Sequence, residues 1–95
     1  MPSPMLDEAW TLSPAVALRP EPFGALAYHF GNRKLTFLKR PQLVAVVRAL
    51  AEQPDVRSAL VAAGVPEPEH AAYAEALAGL ARTDMICPRG REVAA

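Results

Sequence analysis

Residues 23–38, FGALAYHFGNRKLTFL, constrain the fold more than any other stretch of this chain. Large and small side chains alternate along both halves, and the midpoint is Gly31-Asn32, a pair that tolerates the positive φ of a two-residue hairpin turn. Folding the chain there sets Phe30 opposite Arg33, Tyr28 opposite Leu35 and Leu26 opposite Phe37. These residues share one pleat face, large and apolar, which is the face expected to form the core. The opposite face carries Ala25, Ala27, His29, Lys34, Thr36 and Leu38. A slip of one residue would exchange the faces of one strand only, so a single register satisfies both strands. Gly24 marks a bulge or a close approach near the start of the first of these strands.

The hairpin has neighbours of recognisable type. Val16 and Leu18 alternate with smaller residues before Pro20 and Pro22, which predicts a short edge strand ending in a turn. From Arg40 the period changes from two to about three and a half. Pro41 suits a first helical turn, and Leu43, Val47, Leu50 and Ala51 follow on one face until Gln53-Pro54. Asp55 is a natural N-cap for a second helix with Val56, Leu60 and Val61 inward, closed by Gly64. A third helix is predicted over 66–82, with Tyr73, Leu77, Leu80 and Ala81 as its stripe, and Met85 and Ile86 as an apolar cap. The expected fold is α+β, a three-stranded antiparallel sheet followed by three helices. Residues 1–12 read as a flexible arm from which Trp10 and Leu12 dock, 13–88 as the domain, and 89–95 as a disordered tail.

A chain of 95 residues is enough for one domain with a single core. Its apolar content includes 19 alanines, so the core depends on a modest set of larger side chains. One cysteine, Cys87, excludes an internal disulfide and makes a reducing compartment the expectation. With no signal-peptide pattern and no long apolar run, a cytoplasmic location follows and no membrane partner is expected. The 10 basic and 10 acidic groups cancel, which argues against a general nucleic-acid binder. Position matters more than the sum. Residues 1–50 carry six basic and three acidic groups and residues 51–95 four and seven, and Arg33, Lys34, Lys39 and Arg40 lie together.

A short helix, a glycine, a third helix and a flanking hairpin together suggest a winged helix-turn-helix, so a DNA-binding regulator is one alternative. The helix that would read bases carries Glu67, Glu69 and Glu75 against Arg82 alone, which would repel a duplex. Catalytic chemistry is not visible. His29 reads as a partly exposed sheet residue and His70 as a helix-surface residue. With Cys87 they lack metal-ligand spacing, and no phosphate loop or nucleophile motif occurs. No catalytic residue, metal or cofactor is expected. Binding remains. The strand Arg33–Leu38 comes last in its sheet, and an open strand edge can take an extended peptide as a further strand. The four cations around it would favour an acidic peptide. They would equally solubilise an edge, and charge alone leaves the two readings open.

The run ALRPEPFGALAYHFGNRKLTFLK, residues 17–39, resembles the MftB-type peptide chaperones of mycofactocin pathways, as do VAVVRALAEQPDV and LAGLARTDMICP further on. The resemblance covers about residues 10–88. It implies a PqqD-like recognition element with a winged-helix-like fold that does not read DNA. It also implies that the leader of a ribosomally made precursor peptide pairs with the third strand, its side chains in the cleft between that strand and the third helix. The implied second partner is a radical S-adenosylmethionine enzyme, which holds the iron–sulfur chemistry and modifies the peptide's C-terminal Val-Tyr. Carried onto this chain, the peptide-binding residues are Arg33, Lys34, Leu35, Thr36, Phe37 and Leu38, with Tyr73, Leu77 and Leu80 from the third helix. A structural subunit of a larger enzyme is the other alternative.

Overall fold

In the computed structural model, which describes residues 4–89, the hairpin forms in the register that side-chain alternation requires. Strands β2 (Val16–Glu21), β3 (Gly24–His29) and β4 (Leu35–Leu38) make an antiparallel sheet in that order, with Leu26 opposite Phe37 and Tyr28 opposite Leu35. Helices α1 (Pro41–Ala49), α2 (Val56–Ala62) and α3 (His70–Arg82) follow. The expected α+β order of sheet and helices is therefore present. A two-stranded ribbon joins the ends: β1 (Trp10–Leu12) pairs antiparallel with β5 (Ile86–Pro88).

The sheet presents the opposite face to the core from the one expected. Ala25, Ala27 and Leu38 are buried, whereas Leu35 and Phe37 are 52% and 53% exposed and Phe30 is 65% exposed. The cause is helix packing. Small side chains on β3 let helix backbones approach the sheet closely, and the volume is filled from the helices by Val46, Val47, Leu50, Leu60 and Leu77. Leu35 and Phe37 are thus surface residues, and Leu38 is a core residue.

The hairpin tip also differs from a two-residue turn. Arg33, rather than Gly31 or Asn32, takes the left-handed conformation at φ 63°, and its N–H donates to the His29 carbonyl at 2.8 Å. Side chains supply the acceptors that stabilise this longer loop. His29 Nδ1 accepts from the N–H groups of Gly31 (2.9 Å) and Asn32 (3.1 Å), and Asn32 Oδ1 accepts from Lys34 N–H at 2.9 Å. Asn32 Nδ2 donates to the Thr83 carbonyl at 3.0 Å, tying the tip to the end of α3. Gly24 is required by space: a Cβ there would lie 2.0 Å from the Leu38 carbonyl oxygen.

Asp55 caps α2 as expected, its Oδ1 accepting from Ser58 N–H at 2.8 Å. The backbone and side-chain hydrogen bonds from Ser58 hold this carboxyl below its ordinary pKa. Gly64 follows α2 at φ 80°. Val61, expected inward, is exposed. The third helix opens as a 3₁₀ turn over Glu67–Glu69, and His70 is buried rather than on the surface, its Nε2 donating to the Val65 carbonyl at 2.9 Å.

Part of the expected arm belongs to the core. Met5 and Leu6, on a 3₁₀ turn at Pro4–Asp7, are buried, and Trp10 and Leu12 pack against the core from β1. Trp10 Nε1 also donates to Glu8 at 2.9 Å. Arg89, counted with the tail, is held: its N–H donates to the Ala9 carbonyl at 2.9 Å, and its guanidinium donates to the carbonyls of Leu50 and Gln53. The rest of the expected tail and residues 1–3 lie outside the described residues.

Candidate functional site

No strand among the described residues pairs with the far side of β4. The orientation of its backbone follows from one hydrogen bond. His29 N–H donates to the Lys34 carbonyl at 3.0 Å, making that pair a bonded one. Alternation along an antiparallel ladder then turns the polar backbone groups of Thr36 and Leu38 toward β3 and those of Leu35 and Phe37 outward. β4 therefore offers two N–H and two C=O groups at an open edge.

Beside the C-terminal end of this edge lies a cleft of about 300 Å³, lined by Phe37, Lys39, Arg40, Leu43, Ala72, Tyr73 and Ala76. Three elements build it. Phe37 comes from β4, with Lys39 and Arg40 from the link into α1, where Pro41 starts the helix. Leu43 lies one turn into α1. On α3 the stripe that buries Tyr73, Leu77 and Leu80 leaves Ala72 and Ala76 at the cleft, where small side chains keep it wide. The Arg40 guanidinium sits over the Tyr73 ring, 5.7 Å from its centroid, in a cation–π contact. The lining holds two cations, two aromatic rings and no carboxylate. Such a surface suits an extended segment with apolar side chains and at least one acid.

The residues singled out from the sequence divide into three groups. Leu35, Phe37 and Tyr73 lie at the open edge or the cleft. Arg33 and Lys34 are exposed at the hairpin end of β4, and Lys39 and Arg40 at its other end, roughly 17 Å away at strand rise. Leu38, Leu77 and Leu80 have their side chains in the core and do not line the cleft, and Thr36 is half-buried with its backbone toward β3. The sequence places Leu35 and Phe37 on the face expected to form the core and Leu38 and Thr36 on the opposite face. The reversal of the sheet's faces exchanges those roles. Leu43, Ala72 and Ala76 were missed as lining residues. The spacing of Ala72 and Ala76 on either side of Tyr73 was their one sequence signal.

Comparison with known proteins is consistent across the domain. A family model described as the peptide chaperone MftB family matches residues 9–87. The chain is 59% identical over 83 residues to the peptide chaperone MftB of Mycobacterium ulcerans, covering 87% of this chain and 76% of that protein. It is 54% identical over 83 residues to the protein of the same name from Mycobacterium tuberculosis, with the same coverage. The Mycolicibacterium smegmatis protein of that name is 54% identical over 86 residues, covering 90% of this chain and 84% of its own length. No solved structure matches. No helix among the described residues is long and apolar enough to cross a membrane. The matched segment takes in the whole sheet, the open edge of β4 and both walls of the cleft, and the chain belongs to the peptide chaperone MftB family.

Proposed function

We propose that this chain binds the leader of the mycofactocin precursor peptide as an added strand on β4 and presents the peptide to a radical S-adenosylmethionine maturase in the cytoplasm. On this reading the fold is a winged-helix-like, PqqD-like recognition element over residues 13–88. The observation that carries it is the outward backbone of Leu35 and Phe37 beside a cationic, aromatic cleft.

The leader's main chain pairs with those groups and sets the register, while its alternate side chains supply specificity. Side chains directed at α3 meet Phe37, Leu43, Tyr73 and Ala76, and carboxylates engage Lys39 and Arg40. Arg33 and Lys34 receive a second acid near the hairpin end. Roughly five residues of extended peptide separate the two cationic pairs. The chaperone's contribution is positional: tethering the leader raises the concentration of the peptide's far end at the enzyme. Catalysis and its iron–sulfur chemistry belong to the partner. The exposed Glu67, Glu69 and Glu75 make α3 a poor match for DNA and leave it compatible with this role.

Calorimetric titration tests the reading with two halves of the precursor. The leader half binds, more weakly as salt rises, and the half bearing the modified residues does not. Binding by the second half alone would overturn the proposal.

A further inference from the structure

On the outer face of the sheet, exposure follows the number of strands alongside. Leu26 and Tyr28 on β3 have cross-strand neighbours on both flanks, Arg19 and Ala17 from β2 and Phe37 and Leu35 from β4, and both are half-buried. Leu35 and Phe37 share that face, yet they are 52% and 53% exposed. Each has a cross-strand neighbour on one flank, because no described strand pairs with the far side of β4. Phe37 is also met from the β3 side by Phe23, their ring centroids 6.0 Å apart, so its bare flank is the one toward the open edge. The helices pack on the other face, where Ala25, Ala27 and Leu38 are buried. What leaves Leu35 and Phe37 bare is therefore a missing strand beside them.

An added strand has fixed consequences at these two positions. Residues opposite one another in a ladder share a face, with Cβ atoms roughly 5 Å apart. The peptide residues that bond to Leu35 and Phe37 consequently lay their side chains against those two side chains on the outer face, and the residue between them turns toward α3. We infer that the leader is read on both faces of the strand it adds: two residues, spaced two apart, pack on Leu35 and Phe37 outside, and the residue between them fills the cleft. The inference rests on the peptide-chaperone reading and names the segment selected, three consecutive apolar residues rather than the alternation of a strand with one face in water. Leu35 and Phe37 thus set specificity through their side chains as well as offering backbone groups. A second copy of this chain fits the bare flank poorly, since antiparallel pairing of two β4 edges sets Arg33 and Lys34 of each against Lys39 and Arg40 of the other.

Calorimetry on the full chain tests the inference from both sides. Serine is placed singly at each residue along the leader peptide. Losses of about threefold or more are expected at three consecutive positions; losses at alternate positions alone would confine the reading to the cleft and overturn the inference, with the strand model left standing. On the chain, Leu35→Thr keeps the N–H and a strand-favouring side chain but removes the apolar neighbour. It should weaken leader binding about three- to fivefold, and unchanged affinity overturns the inference. Phe30→Ser, exposed at the hairpin tip beyond the β4 ladder, should stay within about twofold; a loss equal to that of Leu35→Thr would mean general apolar adhesion and overturns it too. Circular dichroism checks the fold of both variants. A wild-type dimer in sedimentation that persists with leader present and that Leu35→Thr dissolves would give the bare flank to a second copy, again overturning the inference. Failure of the wild type to bind leader at all overturns the function proposed above.

Discussion

The three-stranded sheet has two edges, and they are built differently. Phe30 N–H donates to the Ala15 carbonyl at 2.8 Å, so the ladder turns Ala17, Arg19 and Glu21 toward β3 and leaves Val16, Leu18 and Pro20 outward on β2. Of those three, Val16 gives its N–H to the Ser13 carbonyl at 3.0 Å, and Pro20 has none to give. One outward donor, on Leu18, remains. β4 has outward donors on both Leu35 and Phe37 and no proline. The hollows beside the edges differ as well. The one next to β2 is lined by Arg48 and Glu52 together, whereas the β4 cleft holds Lys39 and Arg40 without an acid. An open edge is a hazard that proteins ordinarily blunt. Here one edge is blunted by local chemistry and the other is left available beside a charged cleft, and the proposal that β4 is the receptor rests on that asymmetry.

Substitutions can break this contrast or refine it. Leu77→Ala removes a fully buried side chain on which α3 rests, and should cost about 2–5 kcal/mol of stability in a urea melt. Below the unfolding transition its leader affinity stays near wild type, because Leu77 does not line the cleft; a large affinity loss in the folded variant would put it in the site. Leu35→Pro takes one outward N–H from β4 and places a ring where the added strand would lie, while the ladder to β3 is spared. Leader binding should fall about tenfold or more by calorimetry with the helical signal retained. Lys39→Glu inverts one cleft charge and should cost about fivefold at low salt, a loss that shrinks as salt screens it. The smallest effect is expected from Pro20→Ala. Restoring a donor to β2 makes the two edges more alike, with weak concentration-dependent association in sedimentation and less than about 1 kcal/mol change in stability.

Much of this asymmetry was legible in the sequence. Pro20 and Pro22 marked an edge strand, and the alternation around Gly31-Asn32 gave the register of β3 and β4, because a period of two allows no other fit to both strands. The face that is buried was not legible. Large apolar residues read as core, but the outcome depends on how closely α1 can approach, and the alanines of β3 permit what Tyr28 and Phe37 would block. Part of the cleft was hidden for a related reason: Ala72 and Ala76 act through the space they leave, and their four-residue spacing alone does not tell an open face from a packed one. His70 reads from the sequence as a helix-surface residue because its partner is the Val65 carbonyl, presented by the chain just before the 3₁₀ turn. The pairing of β1 with β5 joins three-residue strands from opposite ends of the chain, too short to show alternation of their own.

Amide hydrogen exchange, followed residue by residue with and without the leader peptide, bears most directly on β4 as the receptor. Leu35 and Phe37 N–H groups point outward and should exchange fast in the free chain, then become protected in proportion to bound peptide, while Leu18 N–H on β2 keeps its free-state rate. Protection at Leu18 with none at Leu35 and Phe37 would contradict the assignment of the edge.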